Sequence, residues 1–228
     1  MAFPRSWEEL NDEVGYEISE PIDEYFDPMR ISEQRKEKRR NLAYDLEEVV
    51  SGLLVDSFYE KQYGATLSFD ELNQLSQEKV RASSREDPVV RAREEYIDAV
   101  EDYFPVDEDV MGHIDEVLIG ALLVQSRHRD DPWYYSADRA RAIAENDSNA
   151  LWDYDELQEA LEEGFRYKTW LTIMDGRERA SHAEVNELTI PIDEPFELQG
   201  GYMMYPHDDS MGVSDDELAN CRCSVEYS

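Results

Sequence analysis

The hydrophobic pattern of this chain changes period at Gly164, and no other feature constrains the fold as strongly. Upstream, apolar residues recur at helical spacing: Leu42, Leu46, Val49, Leu53 and Tyr59 form one stripe over 31–63, and Val110, Ile114, Val117, Leu118 and Ala121 a second over 107–127. Downstream, 165–173 is rich in β-branched and aromatic residues and alternates in part, which predicts a strand. Three more short strands are expected at 188–192, 201–205 and 223–227, separated by Pro, Gly and Asp clusters. The pattern predicts an α+β protein: an extended arm over 1–30, a mostly helical body over 31–164, and a small C-terminal α+β domain with short strands over 165–228.

Local punctuation fills in the elements. Ser68 with Glu71 reads as a capping box opening a helix over 69–82, and Pro88 as the first turn of another running to 103. Further helices are expected over 137–151, capped by Ser136, and over 154–163, stopped by Gly164. Short helices over 177–184 and 215–219 complete the C-terminal domain, the latter opened by a capping box of Ser214 and Glu217. The longest apolar run, 117–124, falls short of the roughly 18 residues that span a bilayer and reads as a buried helix face. The first residues lack the basic start and apolar stretch of a secretory signal. The expectation is a soluble protein, kept in the cytosol or in a particle assembled there, with no membrane partner. In the arm, Trp7, Tyr16, Tyr25 and Phe26 are suited to anchoring it on its own body or on a neighbouring subunit.

Charge narrows the partners. The net charge is −33, from 55 acidic and 22 basic residues. Phosphate backbones bind basic surfaces, so sequence-specific nucleic-acid binding by the body is disfavoured. The single basic cluster, Arg35, Lys36, Lys38, Arg39 and Arg40, reads as a solvated helix face paired with surrounding acids. Lysine is scarce, five residues against 17 arginines, and with the acidic excess this points to a proteome adapted to high salt.

The chemically specific residues gather near the C-terminus. Both cysteines lie in Asn220-Cys221-Arg222-Cys223, and His182 is one of only four histidines. Two cysteines cannot make a disulfide framework, and with one residue between them they suit a shared ligand. Three readings stand open. In the first, Asp175, His182, Cys221 and Cys223 bind a metal, zinc by the chemistry of the donors, with His207 or Asp208 competing for the fourth position. In the second, a polar network holds the loops without metal: Asp175 and Asn220 act at helix ends and the cysteines are small core residues. The third is a thiol hydrolase, which needs an imidazole against one thiol. No Gly-rich phosphate loop, G-x-S-x-G or H-E-x-x-H occurs, so no catalytic residue is assigned and an enzyme is not expected.

The order of these residues resembles the phage Mu F-like head morphogenesis proteins, the minor capsid proteins of tailed viruses. The matching residues are Lys168 and Trp170, then Asp175, Arg177 and His182, then Phe196 and Gly200, Pro206 and Asp208, and finally Asn220 to Cys223. Arg139 to Glu145 is similar to the helix preceding that domain, so the match covers about 136–228. The resemblance implies a virion structural protein, present in multiple copies, that associates with the portal protein and the major capsid protein. Its role would lie in procapsid assembly and in genome packaging or delivery, without catalysis. Joined to the salt-adapted composition, it implies a tailed virus of a halophilic archaeon.

Overall fold

A computed structural model of the chain describes residues 22–60, 88–128 and 132–228. Its elements, in chain order, are α1 (Ile22–Phe26), α2 (Glu33–Glu60), α3 (Pro88–Glu101), α4 (Glu108–Arg127), a 3-10 turn (Pro132–Tyr135), α5 (Ala137–Glu163), β1 (Tyr167–Leu171), α6 (Ala180–Glu184), β2 (Thr189–Pro191), β3 (Phe196–Leu198), β4 (Gly201–Met203), α7 (Asp215–Leu218) and β5 (Ser224–Tyr227). The α+β class expected from the change of period is the one observed, helices first and short antiparallel strands after Gly164. The helix expected over 69–82 and the aromatic residues Trp7 and Tyr16 lie outside the described residues. No described helix is long and apolar enough to cross a membrane.

The chain forms two compact units, and they do not follow its order. Among the described residues, one comprises 44–60, 88–128 and 132–144; the other joins 22–43 to 145–228. The two long helices α2 and α5 each contribute residues to both units.

In the first unit most of the expected stripe residues are buried, Leu46, Val49 and Leu53 on α2 and Val110, Ile114, Leu118 and Ala121 on α4, while Val117 is half-buried; Val50, Leu54 and Leu122 join them in the core. Asp107 caps α4, accepting a hydrogen bond from Val110 N at 2.9 Å. Gln125 Nε2 donates to Leu54 O at 2.9 Å, tying α4 to α2. Ser136 caps α5 through Arg139 N at 3.2 Å, as its type and position predict.

The second unit differs from expectation at three places. Residues 22–26 are not an extended arm but a helical turn, because Ile22, Tyr25 and Phe26 stand at i, i+3 and i+4 and bury one face against Ile173 and Ala43. The two helices expected over 137–151 and 154–163 are one, α5. No Gly or Pro interrupts 137–163, and Asp153, the residue most able to cap a new helix, is spent instead on Arg39, Nη2 to Oδ1 at 2.7 Å. α5 ends where expected, at Gly164, whose φ of +81° suits a residue without a Cβ.

β1 is the centre of a three-stranded antiparallel sheet of order β2-β1-β5, with Lys168 opposite Ile190 and Tyr227, and Trp170 opposite Val225. Alternation along β1 turns Lys168 and Trp170 inward, both fully buried, and leaves Tyr167 exposed. β3 and β4 form a separate hairpin, Phe196 opposite Met203. Trp170, Phe196, Leu198, Met203, Val213, Val225 and both cysteines make one core. β3 was not among the strands read from the sequence, since three residues are too few to show a period.

Candidate metal centre

His182 is carried by α6, a five-residue helix that starts after the extended Arg179 and ends at Val185. Glu187, at φ 63°, turns the chain back so that its N–H donates to Trp170 O at 2.7 Å, which fixes the His182 segment against β1. The cysteines follow α7. Asn220, at φ 56°, takes the left-handed conformation that ends many helices, as its type suggests, and delivers Cys221 and Cys223 into the lead of β5. Two residues apart, they turn both sulfurs toward His182. Tyr25 of α1 donates its hydroxyl to the Cys221 carbonyl, and burial pushes that phenol's pKa well up.

These elements bring three expected ligands together. His182 Nδ1 lies 3.4 Å from Cys223 Sγ and 3.6 Å from Cys221 Sγ. All three ligand atoms are within 4.8 Å of one another and all three residues are buried. Metal–sulfur and metal–nitrogen bonds of about 2.3 and 2.05 Å at tetrahedral angles separate N from S by about 3.5 Å, so the observed spacing fits one shared ion. The cluster could hold a metal. The cysteines are free thiols. Hydrogen bonding from Cys221 and the nearby His182 lower the Cys223 pKa well below the usual thiol range, while burial raises that of Cys221.

Asp175 stands elsewhere. α6 begins at Ala180, so Asp175 is not on the helix that carries His182 and cannot share its face. Asp175 is exposed; its Oδ2 is 2.9 Å from Arg222 Nη2 and 3.5 Å from Arg177 Nε, and its Oδ1 accepts from Arg177 N at 3.1 Å. Arg222 holds its carboxyl below the usual range. The rival fourth ligands are also engaged elsewhere. His207 Nδ1 is 3.3 Å from Asn149 Nδ2, and Asp208 accepts from Met204 N at 2.7 Å and Ser210 N at 3.0 Å.

Two residues that sequence reasoning passed over surround the ligands. Thr172 Oγ1 accepts from Trp170 Nε1 at 3.0 Å, donates to His182 O at 2.8 Å and lies 3.6 Å from Cys223 Sγ. Glu217 Oε2 is 2.9 Å from His182 Nε2, in ion-pair contact without the alignment of a formed hydrogen bond, and accepts from Ser181 Oγ at 2.7 Å. The only sequence signal at Glu217 was the capping box with Ser214, and it pointed to the wrong partner.

The basic cluster is also only partly as expected. It pairs with acids, but Arg39 is fully buried rather than solvated, bonded to Asn149, Asp153 and Glu156. No family model, no curated protein and no solved structure matches this chain.

Proposed function

We propose that this chain is a minor capsid, head morphogenesis protein of a tailed virus, acting at the portal vertex in procapsid assembly and genome packaging or delivery, and that zinc holds its C-terminal unit. One observation carries the reading: the residues of the motif order are spent on internal contacts. Lys168 Nζ donates to Met204 O at 2.8 Å, Trp170 packs its ring edge against His182 at 5.5 Å, and Asp208 closes the turn after Pro206. Side chains arranged in this way brace a scaffold, which supports a structural role. The −33 charge supports a salt-adapted host and keeps the protein from adhering to packaged DNA.

Zinc suits the donor set: two cysteine sulfurs and an imidazole in a buried core supply three of the four positions of a tetrahedral site, and a bound ion adds folding energy that so small a unit otherwise lacks. Cys221, Cys223 and His182 Nδ1 would hold it, and the ion supplies charge neutralisation and cross-linking.

A thiol hydrolase is the second reading, because Cys223, His182 and Glu217 follow the order nucleophile, base, carboxylate. Cys223 is 4% and His182 2% exposed, however, which bars a substrate from the sulfur.

Mass spectrometry of purified particles and co-purification with a portal ring test the main reading: the chain should be found in both, and its absence from particles removes the proposal. Metal analysis of protein purified without chelator should give one zinc per chain. Loss of a defined hydrolytic activity on Cys223→Ser, with the fold intact, would instead favour the enzyme.

A further inference from the structure

Glu217 has no ordinary reason to be where it is. It sits on a four-residue helix, is 9% exposed, and among the described residues no lysine or arginine neutralises it. A buried carboxylate in that position costs several kcal/mol in general unless something answers its charge. What it faces is His182 Nε2 and, one residue earlier on α6, Ser181 Oγ. Its place is also shaped by an omission: a Cβ on Gly200 would stand 2.7 Å from Glu217 Cγ, 3.0 Å from Ser214 Oγ and 3.1 Å from Glu217 Oε1, so any side chain at that position would require the Glu217 side chain to shift from its present place.

We propose that Glu217 is the positioning residue of the metal site: it retains the His182 proton on Nε2, so that the Nδ1 lone pair faces Cys221 and Cys223, and it anchors the ring through Ser181. A neutral imidazole has one N–H and one lone pair, and the carboxylate decides which nitrogen keeps the proton. Metal-binding histidines commonly present their other nitrogen to such a group, and losing it typically costs 10- to 100-fold in metal affinity. Charge points the same way. With an ion bound, two cysteine thiolates and the Glu217 carboxylate would lie in one core, and a divalent cation would balance their charge. The inference rests on the zinc reading and adds to it the residue that orients the ligand.

The test is a zinc titration of the full chain against a chromophoric chelator, with cobalt(II) as a spectroscopic substitute whose thiolate charge-transfer band reports ligation by the cysteines. The wild-type chain should bind one ion. Glu217→Ala should bind zinc about 10- to 100-fold more weakly while retaining the thiolate band. Glu217→Gln, whose side-chain oxygen can face Nε2 from the same place, should lose less. Gly200→Ala keeps the carboxylate but displaces it, and should weaken binding in the same direction. It serves also if Glu217→Ala does not fold. A merely structural Glu217 would lower the melting temperature of the chelated protein and of the zinc-loaded protein alike; a positioning residue shrinks the increment that zinc adds. Wild-type affinity in Glu217→Ala or in Gly200→Ala overturns the role of Glu217 and leaves the zinc site standing. A wild-type chain that takes up neither zinc nor cobalt overturns both.

Discussion

Thr172 shows how much a single hydroxyl can hold. It receives the Trp170 indole N–H and gives its own proton to the His182 carbonyl, and its backbone N–H donates to Asn186 Oδ1 at 2.9 Å. Thr172→Val keeps the shape and removes the oxygen, leaving the indole N–H and a carbonyl without partners in a buried place. The expected loss is about 2 kcal/mol, read as a drop in the urea midpoint with an unchanged slope; an unchanged midpoint would show that the hydroxyl is dispensable. Lys168 makes a different case, since it is an amine buried on the inner face of β1, where burial pushes its pKa down to about 8 from the usual 10.5. Between those two values the unfolded chain binds more protons than the folded one, so this group's contribution to stability increases as pH rises from about 8 to 10.5. Lys168→Met should abolish that rise, measured as urea midpoints across this range. Lysine on an inward position was legible only as a departure from alternation. The carbonyl of Met204 that receives it, 36 residues on, was not.

At the scale of elements, the α2–α5 contact in the second unit is an ionic ladder. Arg39 reaches Asn149 and Asp153 at 2.7 Å each and Glu156 at 2.8 Å, and Arg35 also pairs with Glu156. Burial raises the Glu156 carboxyl's pKa, but the adjacent Arg39 outweighs it and holds the value down to about 2. Arg39→Met leaves buried Asp153 without its arginine and Glu156 with Arg35 alone, and should cost about 3–5 kcal/mol at neutral pH. A carboxyl depressed in this way stabilises the fold above its usual range and loses that contribution as pH falls toward about 2. The gap between wild type and variant, followed by denaturant titration, should therefore narrow below pH 4.5; a gap that stays constant would show that packing, not charge, holds the two helices.

For the molecule as a whole, 55 acidic residues against 22 basic ones make self-repulsion the dominant long-range force. The screening length falls from about 10 Å at 0.1 M salt to about 3 Å at 1 M. The melting temperature should rise steeply with potassium chloride over that interval and then level off. A flat response would contradict the salt-adapted reading of the composition.

The chain's own order determined the class of fold, the main helix starts and stops, and the strand that becomes β1. Each of these depends on residues within a few positions of one another, and periodicity and caps report such relations directly. It also singled out His182, Cys221 and Cys223, because rare residue types draw attention wherever they lie. Only tertiary structure decided that Asp175 turns to Arg222, that Asp153 bonds Arg39 instead of starting a helix, and that Glu217 leaves its expected cap for the His182 ring. The reason is common to all three. A carboxylate beside a helix start has a local use visible from its neighbours, whereas the burial that gives it a stronger, distant partner appears only once the chain has closed on itself.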